Sequence, residues 1–234
     1  MYDAILVNGD SYTARVTNPV WADHLSRSMN KPLYNIAFPG SSNQRIVRST
    51  IQQVHELQQK NIRPLVIIGW SFVRRQEVWY YGTDHKINYM IPDTTLSPES
   101  KLITLDALLS HGLATVEQKA LINSDQEVHK ALTDFWTNVW LLSTSLQQLN
   151  LPYWFFSAAD NTDCPTHCFP YVDKLSLVRH SQQDPCIWRL HEFSLQTWAR
   201  QHDSGHDTTN GHLSDSGHEL FAEVIQKQIE KHAN

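Results

Sequence analysis

Four short stretches of nearly continuous apolar character punctuate the chain: Ala4 to Asn8, Leu33 to Ala37, Leu65 to Gly69 and Tyr153 to Ser157. Runs of this length without polar alternation read as strands covered on both faces, the pattern of a parallel sheet. Helical periodicities lie between them. Asn18-Pro19 reads as a helix start, since Asn caps and the fixed φ of Pro suits the first turn. Val20, Trp21, His24, Leu25 and Met29 then share one face. A second helix is predicted from about Gln44 to Lys60, with Ile46, Val47, Ile51, Val54 and Leu57 turned inward. Strand alternating with helix predicts an α/β fold with a central parallel sheet.

The third crossover is long. It holds an aromatic segment, Val78 to Met90, a turn-rich stretch around Pro92 and Pro98, and two helical patterns. The stronger pattern covers about Asp125 to Leu149 with a stripe from Val128 through Trp136 to Leu146, and Asn150 and Pro152 stop it. Ala158 to Pro185 is polar and reads as a long loop or lid. A helix near Ile187 to Arg200 follows, then a polar stretch from Gln201 to Gly211. A last helix is expected over about Asp215 to Lys231, with Ser214 or Ser216 as cap and Ser216 with Glu219 as a capping box. No repeat or linker divides the chain. One domain over 1–234 is expected, with insertions at about 70–124 and 158–186.

Composition narrows the function. The chain of 234 residues is 41% hydrophobic, with eight each of Trp, Tyr and Phe, enough for a substantial core. A net charge of −5 and the lack of a basic face argue against nucleic acid as a partner. No apolar run is long enough to span a membrane, and Asp10 interrupts the N-terminal apolar run too soon for a signal peptide, so a cytoplasmic location is expected. The 3 cysteines are too few and too odd in number for a disulfide framework. Cys164, His167, Cys168, His180, Cys186 and His191 cluster in sequence, but their spacing matches no zinc signature. His202 and His206 could share a helix face with Asp203 and Asp207 alongside, but Ser204-Gly205 opposes a helix there. No metal and no cofactor is expected.

The candidate chemistry lies at the two ends. The first strand runs into Asn8-Gly9-Asp10-Ser11, and ligands of parallel sheets bind beyond the carboxyl ends of strands. A serine there is a candidate nucleophile, but a hydroxyl needs a base within hydrogen-bond reach. His212 supplies an imidazole just ahead of the final helix. By themselves, Gly-Asp-Ser is also ordinary turn composition and a loop histidine has many roles.

Taken together, Gly9-Asp10-Ser11 after the first strand, Gly40 after the second, Gly69 at the third and His212 before the last helix resemble the SGNH (GDSL) hydrolase family over nearly the whole chain. The resemblance implies a flavodoxin-like three-layer α/β/α sandwich and esterase, lipase, deacetylase or thioesterase activity. It implies Ser11 as nucleophile, His212 as general base, and the N–H groups of Ser11 and Gly40 as oxyanion donors.

Two positions depart from the family pattern. Ser71, in Gly69-Trp70-Ser71-Phe72, stands where the family has an Asn whose amide is the third oxyanion donor; Asn43 or Ser71 is expected to take that role. Thr209 stands three residues before His212, where the family has Asp; Asp207 is the candidate acid, or the pair works as a Ser-His dyad. Asp10, Trp70, Arg75 and Glu77 are the candidate substrate contacts. A guanidinium suits a carboxylate or phosphate and an indole suits a sugar ring, although an Arg75–Glu77 or Arg74–Glu77 ion pair and a core Trp70 are equally ordinary.

The expected function is a serine hydrolase acting on an acyl ester of a small polar or carbohydrate-type substrate through an acyl-enzyme. An acyltransferase sharing that intermediate and a non-catalytic ligand-binding domain of the same fold are the alternatives.

Overall fold

The computed structural model describes residues 2–15, 19–80, 101–104, 115–116, 125–160, 176–188, 190, 193–203 and 212–232. Its central sheet has four strands, β1 (Ala4–Asn8), β2 (Leu33–Asn35), β3 (Pro64–Trp70) and β6 (Tyr153–Ser157), all parallel in the order β2-β1-β3-β6. Val7 lies between Asn35 and Ile67, and Trp70 opposite Ser157. The carboxyl ends of β1, β3 and β6 therefore open onto one edge.

Both faces of the sheet are covered, which is why its strands read as unbroken apolar runs. Leu6, Val66, Ile68, Trp70, Tyr153 and Phe155 point to one layer, built by α2 (Asn43–Gln59), α3 (Asp125–Gln148) and α4 (Ser176–Gln183). The alternate residues Ile5, Val7, Leu65, Ile67, Trp154 and Phe156 point to α1 (Trp21–Ser28), α5 (Leu195–His202) and α6 (Asp215–His232). Trp21, wholly buried, meets Phe156 and Phe221 edge-on and ties α1, the sheet and α6 together. This is the three-layer α/β/α sandwich expected from the sequence.

Several boundaries differ from expectation. Val20 precedes α1, and the Asp23 carboxylate accepts its N–H at 2.9 Å; Asn18 lies outside the described residues. β2 stops at Asn35, whose side chain accepts the Ala37 N–H. α4 occupies part of the span read as a loop. The helix predicted from Ile187 begins only at Leu195, capped by Ser194, because Cys186 and Trp188 bond the backbone of Phe155 and extend the sheet beyond β6. β4 (Glu77–Tyr80) and β5 (Lys101–Thr104) form a separate antiparallel pair that the sequence did not announce. Among the described residues no helix is long and apolar enough to cross a membrane.

Candidate active site

The end of β1 is anchored from beneath. The Asn8 amide donates to Ile46 O, Ser49 Oγ and Thr50 Oγ1 at 3.0, 2.8 and 2.9 Å, fixing the strand to α2. Gly9 follows at a crowded point, where a Cβ would stand 2.7 Å from Thr13 Oγ1 and 2.9 Å from Gly69 O. The chain then folds over Asp10. Its carbonyl accepts the N–H groups of Thr13 and Ala14 at 3.0 and 2.8 Å, and its Oδ1 accepts that of Tyr12 at 3.2 Å. The Ser11 N–H has no hydrogen-bond partner among the described residues.

The loop after β2 approaches the same edge. Phe38 N–H bonds Gly9 O at 3.2 Å, and Gly40 takes φ +76°, a conformation glycine adopts without strain. The Gly40 N–H is likewise without a partner among the described residues. Ser42 then caps α2 by accepting the Arg45 N–H at 3.0 Å.

His212 arrives from the far end of the chain. Its Nε2 lies 2.9 Å from Ser11 Oγ, across 201 positions of sequence, and its ring meets Tyr12 edge-on at 4.9 Å. Burial and the nearby Asp10 carboxylate push the Tyr12 phenol up to about 12, so it stays a neutral wall. The segment holding His212 is fastened by Asp203, which accepts the N–H of Ser214 at 2.7 Å and also its hydroxyl. Ser214 Oγ in turn accepts the Gly217 N–H at 3.0 Å and caps α6. Ser216 lies inside the helix, so the capping box expected with Glu219 is not the one used. Asp207 lies outside the described residues.

The third strand brings a different arrangement from the one expected. Asn43 Oδ1 accepts the Ser71 N–H at 2.9 Å, and Nδ2 donates to Phe72 O at 3.2 Å and to Ser71 O at 3.4 Å. The amide thus holds the loop after β3 instead of facing Ser11. Ser71 Oγ donates to Asp10 Oδ2 at 2.7 Å, and Arg75 Nη1 bonds both Ser71 Oγ at 2.8 Å and Asp10 Oδ2 at 3.1 Å. Burial pushes the Asp10 carboxyl up, while the Arg75 guanidinium, the Ser71 hydroxyl and the Tyr12 amide pull it back.

Two candidate substrate contacts are corrected. Trp70 is wholly buried, edge-on to Phe135 and Phe155, and belongs to the core. Glu77 forms a two-pronged ion pair with Arg48 of α2, at 2.6 and 3.2 Å, and is not a partner of Arg74 or Arg75. Asp10 is itself fully buried and meets protein groups only. No group of three metal-ligating side chains occurs among the described residues; Cys164, His167, Cys168, His191 and His206 lie outside them. Cys186 is half-buried, and burial pushes its thiol up to about 11.

His218, near the start of α6, has a setting with a measurable consequence. Its Nδ1 accepts the Trp21 N–H at 3.2 Å, joining the starts of α1 and α6. Burial, helped by His24 and His212, lowers its pKa from 6.5 to about 4 against the pull of Asp215 and Asp203. The unfolded chain therefore binds this proton first. Stability is full above the unfolded value and falls as pH drops from 6.5 to about 4, by about 3 kcal/mol. His218→Gln, which keeps an acceptor for Trp21, should flatten that part of a urea-midpoint profile. An unchanged slope would assign the acid sensitivity to other groups.

The sheet order and the two helical layers form an α/β/α sandwich, and Ser11 and His212 meet over the carboxyl edge of its sheet. The structure resembles the psychrotrophic esterase EstA from Pseudoalteromonas sp., in a form inhibited by monoethylphosphonate, with TM-score 0.53 at 12% identity over 98% of this chain and 97% of that one. It resembles TesA with TM-score 0.54 at 10% identity over 98% and 99% of the two chains. By sequence, residues 10–234 match a family of unknown function, DUF6071, and the chain belongs to that family. No curated protein matches it.

Proposed function

We propose that the protein is a serine hydrolase that cleaves an acyl ester of a small polar or carbohydrate-type substrate. The observation that carries this reading is the 2.9 Å approach of Ser11 Oγ to His212 Nε2. A neutral imidazole accepts the serine proton as Oγ attacks the ester carbonyl. The unpartnered N–H groups of Ser11 and Gly40 are available to the oxygen that becomes negative, each donor of this kind lowering the barrier by about 3 kcal/mol. Asn43 and Ser71 are committed to the loop after β3 and to Asp10, so the hole is built from two backbone donors. His212 returns its proton to the leaving alcohol, and water then releases the acyl group from Ser11.

A fluorophosphonate probe tests the reading directly. Ser11 Oγ attacks phosphorus, the P–F bond breaks and fluoride leaves, while the hydroxyl proton passes to His212. One label per chain on Ser11 is expected, absent from Ser11→Ala. No labelling of the intact protein would leave a binding domain in place of an enzyme. Turnover of acetyl and longer esters, with and without sugar acceptors, then separates hydrolysis from acyl transfer.

A further inference from the structure

We propose that Arg75 is a positioning residue for Ser11, acting through Ser71 and the buried carboxylate of Asp10; the inference rests on the hydrolase reading and deepens it. Asp10 is fully buried directly before the nucleophile. A carboxylate in that position is tolerable only when its oxygens are met by donors. Two donors come from the loop after β3: Ser71 Oγ at 2.7 Å and Arg75 Nη1 at 3.1 Å, both on Oδ2. Arg75 also donates to Ser71 at 2.8 Å, closing a ring of three polar contacts, and its guanidinium lies over the Phe72 ring at 4.9 Å. The group is therefore fixed in plane.

The other oxygen of Asp10 turns toward the nucleophile. Oδ1 accepts the Tyr12 N–H while the Asp10 carbonyl accepts those of Thr13 and Ala14. Three consecutive N–H groups after Ser11 are thus drawn to one residue, while the Ser11 N–H has no partner among the described residues. One oxygen of the carboxylate is gripped by the third strand's loop and the other orients the first strand's turn. The ionised form accepts most strongly from Arg75, Ser71 and Tyr12 together, and an arginine stays charged at any working pH.

The groups facing Asp10 are Arg75 and Ser71 from the loop after β3, the Tyr12 amide from its own turn, and His212 from the segment before α6. Removing Arg75 takes away the first of the influences that oppose burial, so the carboxyl moves further up. A proton on the carboxyl would weaken the two contacts that remain, from Ser71 and Tyr12.

The test compares wild type with Arg75→Gln, Arg75→Lys, Ser71→Ala and the Arg75→Gln/Ser71→Ala double variant. Three readouts are needed: fluorophosphonate kinetics across pH, the reversible affinity for the probe, and amide exchange of the peptide spanning the turn. Arg75→Gln and Ser71→Ala should each slow the bonding step about 10- to 100-fold with affinity within about threefold, since misplacement acts on the reacting geometry. The double variant should be no slower than the worse single one, because both act on one network. Arg75→Gln should move the acid-side ionisation that Asp10 contributes to the rate profile toward higher pH. It should also speed exchange of the turn, and Arg75→Lys should restore part of the rate. Lost affinity with an unchanged bonding rate would make Arg75 a substrate anchor and overturn the proposal, as would additive losses. Should wild type itself resist labelling, the hydrolase reading falls, and exchange at the turn alone decides the positioning claim: unchanged protection in Arg75→Gln overturns it.

Discussion

His212→Ala is expected to lower kcat/KM for ester cleavage by about 10³- to 10⁵-fold, with KM changed far less. The substitution leaves the Ser11 and Gly40 N–H groups in place, so residual catalysis from the oxyanion hole survives. What is lost is the acceptor standing 2.9 Å from Oγ, without which the hydroxyl attacks carrying its own proton. Because nucleophile and base act as a unit, Ser11→Ala/His212→Ala should be no slower than Ser11→Ala alone. A His212→Ala variant retaining more than about a tenth of the activity would remove His212 from the mechanism, given the size of a general-base contribution.

The largest stability effect is expected away from the reacting atoms, at Gly217→Ala. A Cβ there would stand 2.0 Å from Asp203 Oδ2 and 2.4 Å from its Cγ, so the carboxylate must leave. With it go both contacts to Ser214 and the anion at the start of α6. The unmet Ser214 N–H and the anion lost from the helix start together cost about 2 to 4 kcal/mol. Ser214 is two residues from His212, so the segment carrying the imidazole loses its anchor and labelling of Ser11 should slow about tenfold or more, as misplaced groups do. In an Asp203→Ala background the same substitution should do little further harm, since the colliding carboxylate is gone. A Gly217→Ala protein with wild-type melting and labelling would refute the coupling.

Much of this architecture was legible in the sequence. The four parallel strands are apolar on both faces, and α2, α3 and α6 carry long stripes of one period, so packing and pattern agree. The pair β4 and β5 was hidden because its strands are separated by a long stretch of chain and no tight-turn dipeptide joins them. α4 was hidden because Ser176–Gln183 is short and mostly polar. Ile187 and Trp188 looked helical by their apolarity and serve instead as an edge beside β6.

At the site, Ser11, Gly40 and His212 were singled out through motif and position, and the fold sets Ser11 Oγ 2.9 Å from His212 Nε2. Asn43 and Ser71 illustrate what motif reading lacks. Either could donate to an oxyanion by type, and only coordinates reveal that each already faces another group. Trp70 followed the same logic, since an aromatic at a strand end can stack on a ligand or fill a core. Glu77 found its partner on α2, too far along the chain for local charge patterns to show. Asp203 was weighed only beside a possible metal pair. The overlooked signal was Gly217, a glycine in the first turn of a helix, where something must come close.

The Ser11 hydroxyl and the His212 imidazole are separated by 201 positions, so the ribosome makes the first well before the second. A nascent chain halted before residue 212 carries the nucleophile on its own strand but has no imidazole to activate it. On the proposed reading, competence arrives only when α6 docks against α1. Termination just before residue 212 would therefore remove the base while sparing every strand of the central sheet, and supplying residues 212–232 as a separate peptide is the natural way to restore it.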